Sequence, residues 1–337
     1  MAEKIQTVYS GAPNGVTTTG EKEVSAAKPG PTVQMWPVGY HHPDWTKDIN
    51  GTKVPYPFWT VMDEVADFQA AKEDIAICTF PKCGTTWMNA IVEMITKNAD
   101  PACLHDGKSL EWKNPYLELS DPTWPPERRP NRLLATLPPG RVFFTHLGYD
   151  ALPKSIAKNN TKIVYVVRNP KDTIVSMYHF FRSHYPMQYH GDLQEIINSF
   201  TEDRVMYGPF YDHTASYVRQ KGKNPNIFFT SFEELSENFV DVVTRLAAFL
   251  ERDLTPEQIQ VIFYECAFDQ MKNNETVNKA AVGARGYFDF SKSPFIRAGK
   301  VGNWKSHFTP EQNLQIDAWT DKNLQRPELQ GLKFRYE

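Results

Sequence analysis

Residues 74–87 read DIAICTFPKCGTTW. Asp74 to Phe80 is a short apolar run rich in isoleucine, which suits a buried strand. From Trp87 to Lys97 the apolar residues Trp87, Ala90, Ile91, Met94 and Ile95 recur at helical spacing on one side. Between strand and helix lies a tight turn holding Lys82, Gly84, Thr85 and Thr86. Such a unit binds anions, because the first N–H groups of a helix lack internal partners and its dipole favours negative charge. Gly84 permits close backbone approach, the threonines add hydroxyl donors, and Lys82 adds a mobile positive charge. The turn is not a Walker A loop, which places its lysine after the second glycine; here Lys82 precedes Gly84.

Outward from this unit, Arg141–Thr145, Lys162–Val167 (KIVYVV) and Asn226–Thr230 (NIFFT) read as further strands, the second suited to a central parallel position. Helices are expected over 152–158, after the turn 169–172 through Phe181 with Asp172 as N-cap, and around 233–250 and 255–266. Strands alternating with helices predict a single α/β domain with a central parallel sheet flanked by helices, spanning 35–337. Residues 1–34, rich in Gly, Pro, Thr, Ser and Lys and without periodicity, read as a flexible N-terminal arm. The aromatics Trp36, Tyr40, Trp45, Tyr56 and Trp59 mark where the fold begins.

A net charge of −3 offers no global attraction to nucleic acid or an anionic membrane, so an anionic ligand needs a local cluster of donors. Cys78, Cys83, Cys103 and Cys266 show neither CxxC spacing nor a disulfide framework, and the His and Cys spacings match no zinc pattern. No signal peptide is evident and no apolar run approaches the ~20 residues of a membrane span. A soluble, cytoplasmic protein with no metal is expected.

Thr79–Trp87 (TFPKCGTTW) resembles the 5′-phosphosulfate loop of cytosolic sulfotransferases, commonly YPKSGTTW, with Cys83 in place of Ser. Tyr165–Phe181 resembles that family's 3′-phosphate strand and helix, with Arg168 and Ser176 as ligands. Phe295–Thr309 (FIRAGKVGNWKSHFT) resembles its R-K-G-x-x-G-x-W-K segment, where Arg297 and Gly299 match. Ala298 stands where Lys is usual and Asn303 where Asp is usual. The resemblance implies a P-loop-NTPase-like sulfotransferase fold. It implies 3′-phosphoadenylyl sulfate (PAPS) as co-substrate and adenosine 3′,5′-bisphosphate (PAP) as product. It assigns the nucleotide to Lys82, Cys83, Gly84, Thr85, Thr86, Trp87, Arg168, Ser176, Phe232, Phe268, Met271, Arg297 and Gly299.

The context Phe144-Thr145-His146-Leu147 resembles the family's K-T-H-L, which makes His146 the base; Phe144 replaces the lysine. Lys82 and Ser176 complete the catalytic set, with Ser176 expected to hold the Lys82 side chain by a hydrogen bond. Phe143, Phe144, Tyr185 and Phe288 are candidate walls for a small lipophilic hydroxyl acceptor such as a phenol, a sterol or another alcohol. Tyr207–Val218 resembles a further acceptor-side segment. The family's dimer segment K-x-x-x-T-V-x-x-x-E is broken here, since Pro310 and Leu314 replace Val and Glu, so a monomer or a non-standard dimer is expected. Two other readings stay open: a PAPS-binding protein without turnover, and an ATP-dependent P-loop kinase.

Overall fold

The computed structural model describes residues 37–121 and 124–337. The expected arm over 1–34, and Trp36, lie outside the described residues. Two short strands, β1 (Thr46–Ile49) and β2 (Thr52–Pro55), pair antiparallel near the start. The main sheet has β3 (Ile75–Thr79), β4 (Val142–Thr145), β5 (Lys162–Val167) and β6 (Ile227–Ser231), all parallel, in the order β4-β3-β5-β6. Successive side chains of a strand face opposite sides, and each face here is covered. Ala76, Cys78, Phe143, Ile163, Tyr165 and Val167 enter one core; Ile75, Ile77, Val142, Phe144, Val164 and Val166 enter the other.

The strand order places a switch point between β3 and β5: the chain leaves β3 toward β4 on one side and later returns to β5 on the other. Open α/β sheets bind ligands outside the carboxyl ends of their strands at such a point. The turn after β3 and Arg168 after β5 flank it, and His146 follows β4 one strand away.

Three local expectations differ from the structure. The helix after β3 runs Thr85–Thr96 and is not one-sided: every residue from Met88 to Ile95 is buried. Its polar Asn89 and Glu93 are satisfied by the Nδ2 of Asn114, at 2.8 and 3.1 Å. The cap of helix Pro170–Ser183 is Asn169, whose Oδ1 accepts the N–H of Asp172 at 2.8 Å. Pro170 lacks an N–H and suits the first helical position, which moves the cap ahead of it. The helix expected over 233–250 is two, Phe232–Glu237 and Phe239–Phe249, divided at Asn238 by a non-helical backbone.

Candidate functional site

Strand register brings the base candidate to the phosphate turn. Cys78 lies opposite Thr145, so Thr79 and His146, one residue further on, meet. The Nδ1 of His146 lies 2.8 Å from the carbonyl oxygen of Thr79. A carbonyl only accepts, which assigns the proton to Nδ1 and leaves a lone pair on Nε2. The His146 N–H donates to Glu118 Oε1 at 2.8 Å, and its carbonyl faces His213 Nε2 at 3.1 Å. Thr79 Oγ1 lies 2.6 Å from Thr85 Oγ1 and 3.2 Å from His146 Nδ1, linking the first helical turn to the imidazole.

The segment after Asn114 runs along the outer side of β4. Phe144 N–H donates to Pro115 O at 3.0 Å, and Leu117 N–H to Phe144 O at 2.8 Å. This pairing delivers Tyr116 and Glu118 to the imidazole. Tyr116 stacks on Phe144 at 4.8 Å between centroids, and the rings of Tyr116 and Tyr207 pack on His146 at 5.1 and 5.4 Å. The two tyrosine hydroxyls are hydrogen-bonded to each other at 2.5 Å. Burial holds the His146 imidazole down at about 3, helped by the charges of His213, Lys279 and Lys82. The same burial pushes the Glu118 carboxyl up to about 7.

Across the switch point the positive groups gather. Arg168 is 8% exposed; its Nη atoms donate to the carbonyls of Lys82 and Lys300, its guanidinium lies 4.1 Å from the centroid of Phe232, and its Nε has no partner. Arg297 donates to Asn303 Oδ1 at 2.5 Å. The Lys82 ammonium lies 4.5 Å from the ring centroids of both Phe180 and Phe295. Burial first, then the charges of Lys279, Arg168 and Arg297, pushes Lys82 down to about 7. Three cations thus meet carbonyls, an amide and ring faces rather than carboxylates. A buried charge needs a counter-charge, and the chemistry of this donor set fits an anion with two phosphate groups.

Two glycines make room for it. Gly84 has φ +102°, and a Cβ there would sit 3.0 Å from the Phe232 ring. Gly299 has φ +59°, and its Cβ would lie 2.0 Å from the Phe268 ring. Only glycine satisfies both the backbone and the space. The segment carrying Gly299 is tied down by Asp172, whose carboxylate accepts the N–H groups of Gly302 and Trp304 at 2.8 and 2.9 Å.

These groups wall one cavity of about 580 Å³. Lys82, Gly84, Thr85, Thr86, Trp87 and Arg168 line it, as do Ser176, Phe232, Phe268, Met271, Arg297 and Gly299. His146, Phe144 and Phe288 line the same cavity. Three expected residues do not. The Cys83 side chain is buried and its Sγ lies 3.6 Å from Thr173 Oγ1. Phe143 points to the opposite face of β4, where it packs edge-on against Phe68, because adjacent strand residues alternate. Tyr185 is 41% exposed and donates to Asp289 Oδ2 at 2.9 Å, outside the cavity wall. The expected Lys82–Ser176 hydrogen bond is replaced by the contacts of Lys82 with Phe180 and Phe295.

Sequence reasoning missed Tyr116, Glu118, Phe180, Lys279 and Phe295; Phe180 and Phe295 lie within the quoted motif segments, whereas Tyr116, Glu118 and Lys279 arrive from segments without a motif. Among the described residues no group of three or more His, Cys, Asp or Glu is placed to hold a metal ion, and no helix is long and apolar enough to cross a membrane.

The Sulfotransferase domain family matches residues 72–328. Mouse Sulfotransferase 1B1 is 35% identical over 284 residues, covering 83% of this chain and 93% of that protein. The crystal structure of mouse sulfotransferase SULT7A1 complexed with PAP superposes with a TM-score of 0.67 at 26% identity, over 85% of this chain and 96% of that one. Retinol dehydratase in complex with androsterone and PAP gives a TM-score of 0.76 over 86% of this chain and 90% of that one; at 23% identity it shows the shared fold. A phosphate turn, an unpaired cation cluster and a family match across most of the chain converge: this chain belongs to the sulfotransferase family and is a PAPS-dependent sulfotransferase.

Proposed function

We propose that the chain sulfates the hydroxyl of a small lipophilic acceptor, a phenol, a sterol or another alcohol, with His146 as the base. The observation that carries this reading is the Nε2 lone pair of His146, in the wall of the same cavity as the cation cluster. Phe144, Tyr116 and Phe288 give the acceptor side an aromatic lining, a common composition for lipophilic ligands. The androsterone complex of a protein with this fold supports the same class.

Lys82, Thr85, Thr86 and Arg168 hold the phosphate groups at the switch point, with Arg297 and the backbone at Gly299 closing over them. Trp87, Phe232 and Phe268 supply faces for the adenine, and Trp87 is fixed by its indole N–H donating to Cys266 O at 3.0 Å. PAPS supplies a sulfuryl group activated by its bond to the 5′-phosphate. His146 takes the acceptor's hydroxyl proton on Nε2 while the acceptor oxygen bonds to sulfur. Lys82 balances the charge left on the phosphate oxygen as the old S–O bond breaks with its electron pair. The products are a sulfate ester, PAP and a proton that His146 passes to water. Phosphate charge near Lys82 offsets the cations that hold His146 low, and so strengthens the base when it is needed.

Incubation with radiolabelled PAPS and a panel of phenols, sterols and aliphatic alcohols tests the proposal. Label transfer by the parent is expected, falling by at least about 10²-fold in His146→Ala with PAP affinity retained. Equal transfer by the two proteins would remove His146 from the chemistry. A cytoplasmic enzyme, either a monomer or a non-standard dimer, is the accompanying expectation, checked by fractionation and by sedimentation.

A further inference from the structure

Two ammonium groups share one aromatic ring in the cavity. Lys82 Nζ lies 4.5 Å from the centroid of Phe295 and Lys279 Nζ lies 4.4 Å from it. Lys279 belongs to no phosphate motif. It precedes the short helix Ala280–Ala284 and holds a left-handed backbone, φ +64°, which a lysine adopts only where its surroundings impose it. Those surroundings are specific. Asn278 Oδ1 accepts the Ala280 N–H at 2.9 Å, and the Lys279 carbonyl accepts Val282 and Gly283 N–H groups at 3.0 and 2.9 Å. The ammonium forms an ion pair with Glu111, on the helix Leu110–Lys113, and both residues line the cavity.

An ordinary structural ion pair has no reason to sit at the reacting centre, but this one does. Among charged neighbours Lys279 acts most strongly on Lys82, and its charge also reaches His146 and His184. Glu111 pairs with Lys279, whose side chain is partly buried at the cavity wall, and offsets part of the cost of placing that charge there. The neighbouring strand brings no charge to this side: Phe144, two residues before the base, offers a ring stacked on Tyr116. Arg168 and Arg297 act on Lys82 less strongly, and both belong to the phosphate motifs that Lys279 lies outside.

We propose that Lys279 is the second cation of the sulfuryl centre, meeting charge on the sulfuryl oxygens on the acceptor side as Lys82 meets charge on the departing phosphate. The assignment rests on the sulfuryl-transfer reading above. The transfer itself is unchanged: one S–O bond forms to the acceptor, one breaks to the phosphate, and the proton goes to His146.

The test compares the parent, Lys279→Met and Lys279→Arg. Turnover of radiolabelled PAPS is expected to fall on the order of 10²-fold in Lys279→Met, with the calorimetric Kd for PAP within about twofold of the parent and Lys279→Arg recovering much of the loss. A second readout needs no turnover. Trace acetic anhydride labelling of the nucleotide-free protein across pH, read on the Lys82 peptide by mass spectrometry, should show the Lys82 midpoint rising in Lys279→Met and holding in Lys279→Arg. An active parent with an equally active Lys279→Met would overturn the assignment alone. So would PAP affinity falling by the same factor as turnover, or a Lys82 midpoint that does not move. A parent that binds PAP but transfers no label to any acceptor would instead sink the transfer reading.

Discussion

At the scale of single residues, burial sets the chemistry more than sequence identity does. Glu118 illustrates it: a fully buried carboxyl that accepts the backbone N–H of His146 is pushed up from 4.5 to about 7, chiefly by loss of solvent. Its folded value lies above its unfolded one. The stability it contributes is therefore complete below pH 4.5 and is lost as pH rises through about 7. Glu118→Gln keeps an oxygen acceptor for His146 and carries no charge. Relative to the parent it should gain on the order of 1–3 kcal/mol between acid and mildly alkaline pH, read from urea midpoints. An identical pH dependence in the two proteins would show that the carboxyl ionises freely in the fold. The residues that resemblance supplied, Lys82 and His146, do meet in one cavity; Phe143 and Tyr185 do not, because strand alternation and a loop position decide which way a ring points.

At the scale of elements, the helix Pro170–Ser183 does two things with adjacent residues. Asn169 caps it, and Asp172 in its first turn holds the C-terminal segment through Gly302 and Trp304. Asp172 also accepts from Asn169 Nδ2 at 2.9 Å, so cap and clasp are one network. Asp172→Ala should weaken PAP binding by roughly tenfold without touching the nucleotide, and cost about 1–3 kcal/mol of stability by leaving donors unpaired. Calorimetry with PAP and thermal denaturation measure the two effects. Loss of stability with unchanged affinity would show that the segment carrying Arg297 and Gly299 stays in place without the clasp. The sequence reading took Asp172 for the cap; Asp and Asn both cap well, and the position of Pro170 separates them only once the helix start is known.

At the scale of the whole molecule, the site gathers Lys82, Arg168 and Arg297 from three distant parts of the chain. Their mutual repulsion opposes folding until an anion arrives. If PAP bridges all three, as proposed, it should stabilise the domain as a unit. At a hundredfold excess over Kd the gain is about 2.7 kcal/mol, seen as a single cooperative transition at higher Tm. Added salt should erode that gain by screening the phosphates. A Tm unmoved by PAP would argue against an assembled nucleotide site.

The strand–turn–helix units, the parallel sheet and the anion-binding chemistry expected of residues 81–87 are legible in the amino-acid order, because they follow from local periodicity and from the groups a helix start leaves unpaired. Arg168, Arg297 and His146 were legible through motif resemblance. Tertiary structure alone decided the rest. The run of Tyr116 and Glu118 along β4 and the meeting of Lys279 with Lys82 over the Phe295 ring depend on contacts between segments far apart in the chain. No local pattern encodes such contacts. Packing and desolvation across the whole fold determine which rings face the cavity and which charges lack partners.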